Sequence, residues 1–148
     1  MEDRLVVGGI AGLIGAALQN IYSFAVKGLN LAEHTYSDFA TTVLTNSVYS
    51  DPVGLLAGFI AYLSVGVILG VFFVYLIAAT SSDYLYLKGL LYGLALWFIL
   101  TGFGTIFGLT TFRNLTPVSA LSILVGGLIF GIVTSHIIKI LEHKTELL

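Results

Sequence analysis

The chain has 148 residues, of which 57% are hydrophobic and only 9% are charged, and its formal net charge at pH 7 is −2. Soluble domains carry roughly 25% charged residues, so this composition excludes a solvated globular domain and predicts one integral membrane domain, residues 1–148. The negative net charge argues against a nucleic-acid partner, because such partners need a clustered basic surface. The chain contains no cysteine, which excludes disulfides and thiolate chemistry.

Four segments of the chain are apolar over the length that crosses a bilayer, about 20 residues. We predict membrane-spanning helices over residues 5–27, 52–79, 85–109 and 117–138. Asp51-Pro52 and Thr116-Pro117 each place a capping side chain before a proline, which is typical of a helix start. The predicted fold is an all-α bundle of four transmembrane helices, in which short connections make consecutive helices antiparallel neighbours.

The first span carries small and polar residues on one face. Gly8, Gly12, Gly15, Gln19 and Ser23 fall within about 80° of one another on a helical wheel. A carboxamide in hydrocarbon is costly and therefore suggests a function. Gln19 is a candidate cavity-lining residue, and the alternative is a hydrogen bond across helices with no further role.

The first connection between spans is the longest and contains two segments of capping-box form, residues 30–33 and 35–38. Phe39, Val43 and Leu44 follow at helical intervals. We predict a short amphipathic helix that lies on the outer membrane surface or covers the bundle. The alternative is an ordered loop.

The same connection holds the weak metal candidates of the chain, Glu33, His34 and Asp38. His34 and Asp38 are four residues apart, so on a helix they share a face, and with Glu33 they can offer ligands to a divalent cation. The alternative is a solvated loop that binds nothing. No catalytic set or nucleotide loop occurs elsewhere, so we predict a non-enzymatic protein without a cofactor.

Glycines recur at four-residue spacing in every span. Such spacing flattens one helix face and lets another backbone approach closely. The predicted helix-packing pairs are Gly8 with Gly12, Gly54 with Gly58, Gly66 with Gly70, Gly89 with Gly93, Gly104 with Gly108, and Gly127 with Gly131. The second span has two such faces, rotated by roughly 120°, so we expect it to touch two neighbours. These pairs serve either packing inside the bundle or an interface with a second protein.

The third span places Trp97 near the middle of the membrane, with Thr101 one turn later. A buried indole N–H needs an acceptor, and the sequence suggests Gln19. Together the three side chains form a candidate cavity for a small or aromatic ligand, whereas the alternative is that Trp97 fills space opposite glycines. No charged residue lies near the centre of a span, which argues against proton coupling through an intramembrane carboxylate.

Lysine and arginine near the span ends predict the orientation, because they are enriched in cytoplasmic connections. The side with both termini has more of them, and the two sets are Arg4, Lys88, Lys139 and Lys144 against Lys27 and Arg113. We therefore predict a multi-pass protein of the cell membrane with both termini in the cytoplasm.

Several short motifs carry a resemblance to a known family. They are Tyr36-Ser37-Asp38-Phe39-Ala40 in the first connection, Tyr75-Leu76-Ile77 in the second span, and Leu87-Lys88-Gly89 with Gly93 and Trp97-Phe98 in the third. On these motifs the chain resembles an uncharacterised family of small four-span prokaryotic membrane proteins. The resemblance implies a prokaryotic cytoplasmic membrane and carries over no activity.

Two functions fit these observations. The first is a non-enzymatic membrane subunit or scaffold that acts through glycine-mediated helix association, with itself or with another membrane protein. The second is a small oligomeric channel or carrier for a small solute, without proton coupling and lined by Gln19, Trp97 and Thr101. A membrane enzyme is a third class, and it would place its chemistry at Glu33, His34 and Asp38.

Overall fold

The computed structural model describes residues 4–45, 47, 51–112 and 115–145. These residues form the helices α1 (Arg4–Gly28), α2 (Tyr36–Thr45), α3 (Pro52–Thr80), α4 (Leu85–Ile106) and α5 (Pro117–Thr145), with a 3₁₀ turn at Thr110–Phe112. Four helices are long and apolar enough to cross a membrane: α1, α3, α4, and α5 as far as Leu141. The predicted all-α architecture with four spans is therefore confirmed. Arg113 and the side chain of Lys144, on which the orientation argument partly depends, lie outside the described residues.

The starts of α3 and α5 follow from their capping residues. The carboxylate of Asp51 accepts a hydrogen bond from the backbone N–H of Gly54 over 3.1 Å. The hydroxyl of Thr116 accepts one from the N–H of Ser119 over 3.3 Å. Each cap satisfies an N–H that has no partner within its helix, so both predicted helix starts are confirmed.

The central helix of the bundle is α1, which packs against α3 on one side and against α5 on the other, while α4 packs on α5. Neighbouring helices run antiparallel. We name the end with Arg4 and the α3–α4 connection the terminal end, and the opposite end, where α2 lies, the α2 end.

Glycines lie where the helix backbones approach most closely. A Cβ added to Gly12 would lie 2.8 Å from the Cα of Gly70, on the contact between α1 and α3. One added to Gly93 would lie 2.7 Å from the carbonyl carbon of Gly127, on the contact between α4 and α5. Backbones this close leave no room for a side chain.

The second glycine face of α3 lies against α2. A Cβ added to Gly58 would lie 2.7 Å from the carbonyl oxygen of Ser37. Gly66, by contrast, lies against Ala16 and Gly12 of α1. Helix α3 therefore contacts two different neighbours through its two faces.

Gly108 is the exception among the predicted packing glycines. Helix α4 ends at Ile106, and Gly108 follows it with a φ of 63°. Its N–H bonds to the carbonyl of Thr105 over 3.1 Å, and the N–H of Leu109 bonds to that of Gly104 over 3.0 Å. This is a Schellman ending, in which glycine supplies a left-handed conformation. The assignment of Gly108 to a helix-packing pair is wrong, because the glycine ends the helix.

The first connection contains one capping box rather than two. The hydroxyl of Thr35 accepts from the N–H of Asp38, and the carboxylate of Asp38 accepts from the N–H of Thr35 over 2.7 Å. Asn30 instead ends α1, with a φ of 57° and a bond from the N–H of Leu31 to the carbonyl of Val26. The capping box at 30–33 is wrong, because Asn30 completes the preceding helix.

Helix α2 covers the bundle rather than lying apart from it. Its Ser37, Phe39 and Thr42 are almost fully buried. The Phe39 ring stacks on the Phe112 ring at a centroid distance of 4.6 Å, and the hydroxyls of Thr42 and Thr111 share a hydrogen bond. The predicted short helix is confirmed, and it packs against α3 and the 3₁₀ turn.

Candidate ligand-binding cavity

Helices α3 and α4 are joined by a short connection, yet they make few contacts with each other. In the halves nearer that connection, the Phe73 ring stacks on the Tyr92 ring at 4.8 Å, and the Tyr92 hydroxyl donates to the carbonyl of Leu69 over 2.8 Å. The prediction that a short connection makes α3 and α4 adjacent therefore holds only for the ends that the connection joins. A short connection fixes the ends of two helices but not the distance between their remaining turns.

A cavity of about 540 Å³ occupies the space between α3 and α4 on the α2 side of this contact. Its walls carry apolar side chains from both helices: Val65, Ile68 and Leu69 of α3, and Leu96, Ile99 and Leu100 of α4. Val65, Ile68 and Ile99 are also between 45% and 54% exposed on the surface of the bundle. Because these exposed side chains are apolar, the opening of the cavity faces the hydrocarbon that surrounds a membrane-spanning helix.

The two ends of the cavity are closed by different elements. Helix α2 covers the α2 end with Phe39, Ala40, Val43 and Leu44. At the terminal end the lining stops at Leu69 and Leu96, and the stacked rings of Phe73 and Tyr92 lie one helical turn beyond them. We therefore read the cavity as open sideways between α3 and α4 rather than along the axis of the bundle.

The inner wall carries a small polar cluster formed by Gln19 of α1, Tyr36 of α2 and Tyr62 of α3. The Tyr62 hydroxyl donates to the side-chain oxygen of Gln19. The Tyr36 hydroxyl donates to the carbonyl of Ile123 in α5. The rings of Tyr36 and Tyr62 lie 5.3 Å apart between centroids, tilted by 34°. Three helices thus bring these groups to one place, of which the sequence analysis selected only Gln19.

Burial controls the protonation of this cluster. Removal from water raises the pKa of the Tyr36 hydroxyl well above its ordinary value, and the nearby Gln19 side chain opposes this only in part. Tyr36 therefore remains neutral. Among the described residues that line the cavity, none carries a charge.

Trp97 lines the cavity, but its hydrogen bond differs from the predicted one. The indole N–H donates to the carbonyl of Ala120 in α5 over 3.0 Å, so the predicted bond to Gln19 is wrong. A helical wheel gives the face on which a residue lies, but not its depth relative to another helix. The bond to Ala120 fixes the indole and leaves its ring as part of the cavity wall.

Thr101 is not among the residues that line the cavity. Its hydroxyl donates to the carbonyl of Trp97 in the preceding turn, over 2.7 Å. The structure thus brings Gln19 and Trp97 to one cavity and leaves Thr101 outside it.

Sequence reasoning missed Tyr36, Tyr62 and Phe130 as cavity residues. One signal for Tyr36 was available: Gly126 directly precedes the packing residue Gly127, and a Cβ added to Gly126 would lie 2.7 Å from the Tyr36 hydroxyl oxygen. An extra glycine beside a packing pair indicates a large side chain opposite it. No comparable signal distinguishes Tyr62 or Phe130 from other aromatic residues of the spans.

The metal candidates do not assemble into a site. The carboxylate of Asp38 accepts from the Lys27 ammonium group over 2.8 Å and from the backbone N–H of Thr35. The His34 ring lies near the Phe39 ring, with centroids 6.3 Å apart. Within the part of the chain that the structure describes, no three His, Cys, Asp or Glu residues are placed to hold a metal ion.

Comparisons of the chain with models of protein families, with curated proteins and with solved structures find no match.

Proposed function

We propose that this protein binds a small, neutral, largely apolar molecule within the membrane and acts as a carrier for it. The observation behind this proposal is the sideways cavity between α3 and α4. Its volume of about 540 Å³ falls in the range of small-molecule sites, roughly 300–1,000 Å³. Its lining is mainly apolar with a few convergent polar groups, which is the usual composition of such sites.

A carrier fits the geometry better than a channel. A channel needs a continuous path along the bundle, whereas the lining of this cavity stops at Leu69 and Leu96, next to the stacked rings of Phe73 and Tyr92. Entry between α3 and α4 instead gives direct access to a molecule dissolved in the bilayer. The opening between α3 and α4 therefore selects solutes that partition into lipid.

The absence of proton coupling is part of the proposal. The cavity wall is uncharged throughout the described residues. The nearest carboxylate on a covering helix is that of Asp38, which is paired with Lys27. Binding and release would then follow the concentration of the solute in the bilayer.

The test fills the cavity with a larger side chain and identifies the small molecules that remain bound to the purified protein. Ala61 lines the cavity, so Ala61→Phe places a ring in it, while Ala78→Phe adds the same ring at an exposed site on α3. The protein is extracted with a polymer that keeps native lipids, and bound small molecules are identified by native mass spectrometry. We expect one to accompany the wild type and Ala78→Phe and to be lost from Ala61→Phe, whose unfolding temperature does not fall. The same bound molecules in all three proteins would overturn the proposal.

A membrane subunit or scaffold is a second proposal, and α4 is the helix that favours it. This helix is the least buried of the four spans. A Cβ added to its Gly102 would meet no atom within 4 Å, so this small residue is open to another helix. The glycines at the α1–α3 and α4–α5 contacts lie against the chain's own helices, so association would use the Gly102 face. Native mass spectra of wild type and Gly102→Leu test this, since loss of a higher-order species in the variant alone is expected.

A further inference from the structure

We propose that the cavity recognises a lipid-soluble molecule with a flat, carbonyl-bearing ring and an apolar tail, which is the chemistry of a quinone. This inference rests on the proposed function, because it names the class of ligand for the same cavity.

The uncharged lining of the cavity excludes lipids with charged head groups as its ligand. A buried ion without a partner is strongly disfavoured, and no described residue that lines the cavity carries a charge. Lys27 and Asp38, which lie beyond the polar cluster, neutralise each other at 2.8 Å. Phosphate, carboxylate and ammonium groups therefore find no partner here, and the ligand is neutral.

The polar cluster presents a donor to the ligand. The hydroxyl protons of Tyr62 and Tyr36 are used on Gln19 and on the carbonyl of Ile123. The side-chain oxygen of Gln19 is occupied by the Tyr62 hydroxyl. The carboxamide nitrogen carries two N–H groups, and Gln19 lines the cavity. This nitrogen is therefore the donor of the cluster that faces the ligand, and a carbonyl oxygen on the ligand can accept from it.

Aromatic rings surround the space next to this donor. Tyr36, Tyr62, Trp97, Phe39 and Phe130 all line the cavity. The bond from the indole N–H to Ala120 holds Trp97 in place, so it presents a ring rather than a donor. Flat rings pack on aromatic faces with more attraction than branched chains of similar area. A planar head group is therefore favoured over a simple alcohol or acyl chain.

The opening accommodates the rest of such a molecule. Val65, Ile68 and Ile99 line the cavity and also face outward. An apolar tail attached to the ring can pass between these side chains into the bilayer. The head then lies against Gln19 while the tail remains in hydrocarbon.

Trp97 is the only tryptophan of the chain and reports directly on this site, because quinones quench indole fluorescence. The detergent-solubilised protein is titrated with a decyl-substituted benzoquinone, and decanol serves as the competitor with the same tail and no ring. We expect saturable quenching that decanol does not reverse. Quenching that rises without saturation, as for a tryptophan ester in the same micelles, would overturn the quinone assignment.

The variants separate recognition from folding. Gln19→Leu removes the carboxamide donor, and we expect at least tenfold weaker binding of the benzoquinone. Thr105→Val is the control that should keep wild-type affinity, since Thr105 does not line the cavity and its hydroxyl bonds to the carbonyl of Thr101 over 2.8 Å. Equal affinity in Gln19→Leu and wild type would overturn the assignment.

Different experimental results would overturn the ligand class and the proposed function. Displacement of the benzoquinone by decanol at equal concentration would overturn the ring-and-carbonyl class while a ligand-binding cavity still stands. A bound molecule without a ring, recovered from the wild type but not from Ala61→Phe, would lead to the same conclusion. No saturable quenching, together with identical bound molecules in wild type and Ala61→Phe, would overturn both.

Discussion

The ammonium group of Lys27 donates to the carboxylate of Asp38 over 2.8 Å, and this ion pair joins the end of α1 to the first turn of α2. The Asp38 side chain is only 3% exposed, whereas that of Lys27 is 40% exposed. The same carboxylate oxygen accepts from the N–H of Thr35 and so caps α2. One buried carboxylate therefore holds the helix that covers the α2 end of the cavity.

Removal of the cation should cost more than removal of the pair. Lys27→Met leaves the carboxylate of Asp38 buried without its counter-ion, and we expect the free energy of unfolding to fall by about 1–3 kcal/mol. The double variant Lys27→Met/Asp38→Asn keeps a capping side-chain oxygen without a charge, so it should recover part of that loss. Denaturant unfolding of both variants in one detergent measures the difference. A double variant that is less stable than Lys27→Met would contradict this account of the ion pair.

The glycines of the α4–α5 contact are expected to be far more sensitive to substitution than an open glycine in the same helix. Gly93→Leu forces a side chain against the backbone of Gly127, and we expect a loss of more than about 2 kcal/mol, as for other overpacked interiors. Gly102→Leu meets open space and replaces glycine with a better helix former, which is worth up to about 1 kcal/mol in stability. Unfolding temperatures of the two variants in one detergent provide the measurement. Equal temperatures would mean that α4 and α5 do not approach as described.

Much of this fold is predictable because its determinants are local. Hydropathy over about 20 residues locates each span, and the caps at Asp51 and Thr116 fix two helix starts. Glycine spacing alone does not identify a packing face near a helix end. Gly104 and Gly108 are four residues apart, as packing glycines are, but only Gly104 lies within α4. A left-handed ending and a packing face both select glycine, so the pattern does not separate them.

The cavity was predictable only in part, because it depends on the relative depth and separation of helices. Gln19 and Trp97 were identified as polar or aromatic residues in apolar spans. Gln19 accepts a hydrogen bond from Tyr62, whereas Trp97 donates one to Ala120. These partners follow from how the helices are placed along the membrane axis. A single sequence contains no local signal for that placement.

The orientation of the bundle in the membrane can be tested with a pair of single cysteines, because the chain has none of its own. Arg4, Lys88 and Lys139 lie at the terminal end, while Lys27 at the other end is already paired with Asp38. The positive-inside rule then predicts that the terminal end lies in the cytoplasm.

The two cysteines should react with a membrane-impermeant maleimide under different conditions. Ser47→Cys, at the α2 end, should be labelled on intact cells. Ser82→Cys, in the α3–α4 connection, should be labelled only after the membrane is permeabilised. Both serines are exposed, so a difference reports the side of the membrane rather than burial, and the opposite pattern would reverse the orientation.

The hydroxyl of Tyr92 holds α4 against α3 at the closed end of the cavity, through its 2.8 Å bond to the carbonyl of Leu69. Tyr92→Phe removes this bond but keeps the ring that stacks on Phe73, so we expect stability to fall by only about 1 kcal/mol. The larger effect should be on access, because α3 and α4 can then separate further along the opening.

Quenching of Trp97 fluorescence by phospholipids with brominated acyl chains measures that access without any ligand. It should be stronger in Tyr92→Phe than in wild type, since the indole lines the cavity that opens between the two helices. Tyr75→Phe is the control, because Tyr75 is an exposed tyrosine of α3 and does not line the cavity. Equal quenching in wild type, Tyr92→Phe and Tyr75→Phe would show that the α3–α4 contact does not limit entry from the bilayer, and the route into the cavity would then have to pass beneath α2.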